Sequence, residues 1–128
     1  MAALVADTSA WVAYLGGETI PLLEAGLAAG IVHIPALVIT ELLGNDIPRR
    51  ERHELEEMLS SLPILGTDAA HHSRAGAAKA ELAKKGIGMS ARDAHIFQCA
   101  LDVKGVLVTR DPLFQHPALS SLVPVQVW

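Results

Sequence analysis

Four carboxylates stand where they could work together. Asp7 closes the strand-like run ALVAD, Glu41 lies inside the apolar segment PALVITELLGN, Asp93 follows SAR, and Asp111 follows VLVTR. Carboxylates crowded together repel and raise one another's pKa, and divalent cations relieve that repulsion. Oxygen donors without cysteine favour Mg²⁺ or Mn²⁺ over zinc. Such a site can lower the pKa of a bound water, orient a phosphate and stabilise the leaving oxygen of an in-line displacement. Phosphodiester hydrolysis is the reaction this equipment suits.

Each acid also has a local structural role open to it. Asp7 suits the N-cap of a helix starting at Thr8, a role that stabilises by about 1 kcal/mol. Asp111 precedes Pro112, and Asp-Pro starts turns. Ser90 and Asp93 have capping-box spacing, and an acid in the first helical turn stays ionised easily, which also suits a metal ligand. Glu41 is the hardest to explain away. It sits in a helix apolar almost all round, where an unpaired buried carboxylate would cost several kcal/mol, so it is expected to face a polar pocket.

The elements that must position these acids read as α/β. ALVAD, IVHIP, LPILG, GVLVT and VPVQVW are candidate strands, nearly continuous in Val, Ile and Leu, as strands covered by helices on both faces are. Helical stretches fill the gaps. Pro35 suits the first turn of a helix from Ala36 to Gly44, with Asn45 as its stop. Thr67 or Asp68 caps an alanine-rich segment reaching Lys85, and RRERHELEEMLSS reads as an exposed helix packing through Leu55, Met58 and Leu59. The expectation is one domain over residues 1–128, a three-layer α/β/α sandwich with a central, mainly parallel sheet. Ligands of such sheets bind outside the carboxyl ends of the strands, where strand order reverses, and Asp7 and Asp111 both follow predicted strands.

Composition narrows the function classes. The formal charge of −4 argues against a general nucleic-acid coat protein, and the four acids alone equal the excess of 14 acidic over 10 basic residues. Cys99 is the single cysteine, so no disulfide framework exists, and a buried small hydrophobe is its expected role. No export signal and no stretch long enough to cross a bilayer is visible, so a cytoplasmic protein without membrane association is expected.

The segments VADTS at Asp7, ITELLG at Glu41, SARDAHIF at Asp93 and VLVTRDPLF at Asp111 resemble, in their order and spread, those of the PIN-domain ribonucleases. Among these they are most similar to the small VapC-type toxins of toxin–antitoxin pairs. The resemblance implies a PIN-like sandwich, Mg²⁺- or Mn²⁺-dependent endoribonuclease activity, a homodimer and inhibition by a small antitoxin. It also implies that Asp7, Glu41, Asp93 and Asp111 form the catalytic, metal-binding quartet, with Ser9 and Thr109 as supporting hydroxyls. Many relatives continue after the third acid with small residues, whereas this chain has Phe97 and Gln98, and Arg92 and His95 flank the acid. Arg92 and Arg110, each next to an acid, are candidates for RNA phosphate contacts because a guanidinium matches phosphate bidentately.

Two other readings compete. A histidine-based, metal-independent ribonuclease could draw on His33, His53, His71, His72, His95 and His116, although neighbouring His71 and His72 point about 100° apart on a helix and surface histidines are expected. A PIN-like interaction module with degenerate acids is the non-enzymatic alternative. Dinucleotide binding lacks its glycine-rich turn after a strand.

Overall fold

Short runs of Val, Ile and Leu bounded by Gly, Pro and Asp become strands, and the longer stretches between them become helices. The computed structural model describes residues 2–128. The chain runs β1 (Leu4–Ala6), α1 (Thr8–Leu15), α2 (Pro21–Ala29), β2 (Val32–Pro35), α3 (Ala36–Leu43), α4 (Arg49–Ser60) and β3 (Ile64–Leu65). It continues through α5 (Ala69–Lys84), α6 (Ala91–Asp102), β4 (Val106–Val108), α7 (Pro112–Gln115), α8 (Pro117–Ser120) and β5 (Val125–Gln126). All five expected strands form.

The strands make one sheet in the order β3-β2-β1-β4-β5, with every pairing parallel. The chain builds outward from β1 to β3 and then returns to the other side of β1 with β4. Strand order therefore reverses between β1 and β4, whose register pairs Ala6 with Val108. A crevice at the carboxyl ends of these two strands follows from that reversal.

Helices cover the sheet, giving the α/β/α sandwich. Leu4 and Val32 are register partners, and both press on Gly26 of α2, where a Cβ would sit 3.0 Å from Val32 and closer still to Leu4. Side chains alternate along a strand, so Val5, wholly buried, faces the other layer. There α6 packs on β1, β2 and β4, with α5 laid along it. Trp11, Phe97 and Phe114 are the largest fully buried side chains, and burying each apolar side chain of this size contributes about 2–3 kcal/mol.

Two boundaries differ from the sequence expectation. Pro35 is the N-cap of α3 and pairs in β2, so it precedes the first turn, and the helix stops at Leu43 with Gly44 as its C-cap. Asn45 instead donates its side-chain amide to the Glu41 carbonyl at 3.2 Å, satisfying one of the carbonyls a helix end leaves free. Among the described residues no helix is long and apolar enough to cross a membrane.

Candidate active site

Asp7 leaves β1 directly at the strand-order reversal. It is 5% exposed, and its carboxylate is almost fully committed. Oδ1 accepts from Ser9 Oγ at 2.7 Å and from the Ala10 N–H at 2.9 Å, which makes Asp7 the N-cap of α1. Oδ2 accepts a hydrogen bond from Thr109 Oγ1, one residue beyond β4. Thr109 in turn accepts the Asp111 N–H at 2.9 Å. One hydroxyl thus joins the two strand-end acids across the crevice. Both expected supporting residues, Ser9 and Thr109, contact Asp7.

Asp111 caps α7 through Oδ1 and the Leu113 N–H at 2.9 Å. Asp93 forms the full capping box, Ser90 Oγ accepting from its N–H at 3.0 Å and its Oδ2 accepting from the Ser90 N–H at 3.2 Å. In both residues the second oxygen stays clear of the capping bond. The capping roles expected of these acids are both present.

Glu41 is half-buried on α3. Its Oε1 accepts from Thr8 Oγ1 at 2.7 Å and its Oε2 pairs with Arg92 Nη1 at 2.9 Å. The desolvation that makes a lone carboxylate costly is offset by these two partners. The Arg92 guanidinium is held further in its charged form by the hydrogen bond and charge of Glu41, with Asp93 and Asp111 adding to the field.

A cleft of about 510 Å³ is lined by Asp7, Asp93, Asp111, Ser9, Arg92 and Arg110, with Val12, Ile96 and Phe114 as apolar walls. Glu41 stands one bond behind it, through Thr8 and Arg92. Three expected acids therefore meet in one cleft and the fourth is tied to its rim. Neither arginine is an unattached surface charge. Arg110 pairs with Glu18, donates to the Trp128 carbonyl at 3.0 Å and stacks 4.3 Å over the Trp128 ring.

The donor set fits a hard divalent cation: carboxylate and hydroxyl oxygens line the cleft, with no sulfur or imidazole. Among the described residues the acids form no group of three poised to share one ion; the donor atoms of His71, His95 and Cys99 lie within 4.8 Å of one another. An ion in the acidic cleft would be held by few carboxylates and keep several waters, the usual habit of Mg²⁺.

The expectation of surface histidines fails at His71 and His95, 2% and 3% exposed. Only the spacing of His95 and Cys99, one turn apart on α6, hinted at a shared face. His71 comes from α5, and no local signal pairs it with them.

Fold and site together define a parallel α/β/α sandwich with an acid-lined cleft at its switch point. The family model for the PIN domain matches residues 4–119, and the chain belongs to that family. Among solved structures it is similar to DNA-bound VapBC from Salmonella typhimurium, at 22% identity and a TM-score of 0.81, covering 100% of this chain and 99% of that one. VapBC2 from Rickettsia felis, bound to a promoter DNA fragment, gives 19% and 0.76 over 98% of both chains. VapBC-5 from Mycobacterium tuberculosis, a member of a family of toxin–antitoxin systems, gives 22% and 0.62 over 99% of this chain and 98% of that one. No match was found among curated protein sequences.

Proposed function

We propose that this chain, as a single domain over residues 1–128, is a Mg²⁺- or Mn²⁺-dependent endoribonuclease that hydrolyses RNA phosphodiester bonds. We further propose that it is the toxin of a toxin–antitoxin pair acting in the cytoplasm. The observation that carries the reading is the convergence of Asp7, Asp93 and Asp111 on one cleft at the β1/β4 reversal. A divalent cation held by these acids would supply an activated water and neutralise charge developing on the phosphate.

The chain's own groups do the rest. Ser9 and Thr109 hold Asp7 in one orientation at the wall of the cleft, so its carboxylate is ordered in advance. Asp93 and Asp111 are fixed in place by the capping bonds they make at the starts of α6 and α7. Arg110, anchored by Glu18 and Trp128, presents a pre-ordered guanidinium for a phosphate oxygen. Arg92 can do the same once it releases Glu41.

Two partners fit this reading. A groove of about 530 Å³ between α1, α3 and α4 is lined by Leu15, Leu42, Ile47, Leu55 and Met58, an apolar surface suited to a small antitoxin. The similar structures are complexes of toxin with antitoxin, and a homodimer is the proposed assembly. The buried state of His71 and His95 speaks against histidine-based cleavage.

The test is cleavage of total cellular RNA by the purified, antitoxin-free chain, read by sequencing of new ends. Cleavage should require Mg²⁺ or Mn²⁺ and vanish in both Asp7→Asn and Asp93→Asn while both variants stay folded. Cleavage that survives excess EDTA, or survives in both variants, sinks the proposal.

A further inference from the structure

Hydrogen bonding in the core beside the cleft settles which nitrogen carries each proton. The Leu37 N–H can only donate, and it reaches His95 Nε2 at 3.2 Å. A neutral imidazole that accepts at Nε2 carries its proton on Nδ1. His95 Nδ1 lies 2.9 Å from His71 Nε2, which therefore accepts, and His71 Nδ1 donates to Asp102 Oδ2 at 3.1 Å. Asp102 also accepts from Arg74 Nη2 and Gln98 Nε2, both at 2.8 Å.

The same groups suit neither a metal nor a nucleophile. The His95 Nδ1 proton fills the gap to His71, and the other ring nitrogen is taken by Leu37. Cys99 is 4.0 Å from His71 Nε2, an arrangement like a thiol–imidazole–carboxylate triad, but it is wholly buried. Burial, with the Asp102 charge, raises its thiol to about 12, and it is inert.

The near end of the relay has a use. Leu37 lies in the first turn of α3, whose N–H groups have no partner within the helix, one turn before Glu41. His95 lies two residues after Asp93 on α6. Gly66 lets the chain pass the two rings: its φ is +78°, and a Cβ there would lie within 3.0 Å of both imidazoles.

We propose that His95 is a positioning residue for the acidic cleft, fixing the start of α3, and so Glu41, against the first turn of α6, and so Asp93. His71 and Asp102 set the tautomer that makes His95 an acceptor. The inference rests on the reading of the acids as a metal site.

The experiment combines ring-nitrogen NMR of the histidines with Mn²⁺ titration, binding being read as loss of the free-ion paramagnetic signal. Wild type should show the Nδ1–H tautomer at His95. His95→Leu should bind Mn²⁺ about tenfold more weakly, the scale of losing an outer-shell partner. His95→Gln, whose carbonyl can accept from Leu37, should restore most of the affinity. Asp102→Asn, at the solvent end, puts an amide among donors and should both disturb the His95 tautomer and weaken Mn²⁺ binding; it decides the matter if His95→Leu does not fold. An Nε2–H tautomer in wild type overturns the positioning role, as does unchanged Mn²⁺ affinity in a folded His95→Leu. Absent Mn²⁺ binding in wild type overturns the metal site itself and the positioning role with it. A thiolate-to-Co²⁺ absorption band lost in Cys99→Ala would place a metal in the cluster and overturn the relay.

Discussion

Thr8 and Glu41, from α1 and α3, are joined from Oγ1 to Oε1 at 2.7 Å. This bond, together with Arg92 on the other oxygen, is why a carboxylate is tolerated in so apolar a helix. Thr8→Val removes it while keeping the shape of the side chain. We expect a loss of about 1–2 kcal/mol, as for a hydrogen bond to a charged group, seen as a lower denaturant midpoint at unchanged slope. An unchanged midpoint would mean that Glu41 finds water instead.

Asp7 caps α1 and lines the cleft, and two substitutions separate these roles. Asn keeps the cap through its Oδ1 but turns an amide toward the Thr109 hydroxyl, so Asp7→Asn should cost about 1 kcal/mol, whereas Asp7→Ala, which loses the cap as well, should cost about 2–3 kcal/mol. Both should lose Mn²⁺ binding. If Asp7→Asn binds Mn²⁺ like wild type, the charge at this position does not hold the ion.

Arg92 pairs with Glu41 and neutralises it. Arg92→Ala should therefore strengthen Mn²⁺ binding by a few-fold, less so in high salt, because this exposed pair is screened. The same variant should bind RNA more weakly. Weaker Mn²⁺ binding in Arg92→Ala would show that the guanidinium orders the acids instead of competing for them.

Asp102 gives a pH signature. Burial raises its pKa, but hydrogen bonds from Arg74, Gln98 and His71 outweigh that and bring it from 3.8 to about 2. Between those values the unfolded chain binds more protons, so the contribution is complete above pH 3.8 and is lost as the pH falls through about 2. Acid unfolding of Asp102→Asn should be flatter across this window than that of wild type. Parallel curves would show that the carboxylate is not held in solution.

Cys99 should resist alkylation at pH 8 in the native protein, since a thiol near 12 is thiolate at only about one part in ten thousand. One equivalent should react in denaturant. Fast native labelling would reveal an opening of the α5–α6 layer.

Local chemistry made much of this legible. The strands announced themselves because they are nearly continuous in Val, Ile and Leu, with only His33 in β2 and Gln126 in β5 as polar interruptions. Asp7, Asp93 and Asp111 were readable because capping and turn signals fix an acid's place on the backbone, and backbone order fixes which sheet edge it reaches. The partners of Glu41 were not readable. Arg92 lies 51 residues away, and only the packing of α3 beside α6 brings the two together. The His71–His95–Asp102 relay was hidden for the same reason. A buried histidine and a surface histidine look alike until its neighbours from another helix are known.

The bond between Thr109 and Asp7 spans 102 positions. β1 finds its central neighbour β4 only after residue 108 has been made, because β4 is built after everything between them. A nascent chain leaving the ribosome N-terminus first thus carries Asp7 before the strand that completes its cleft has been made. Whatever chemistry the cleft performs is withheld until the growing chain has passed β4.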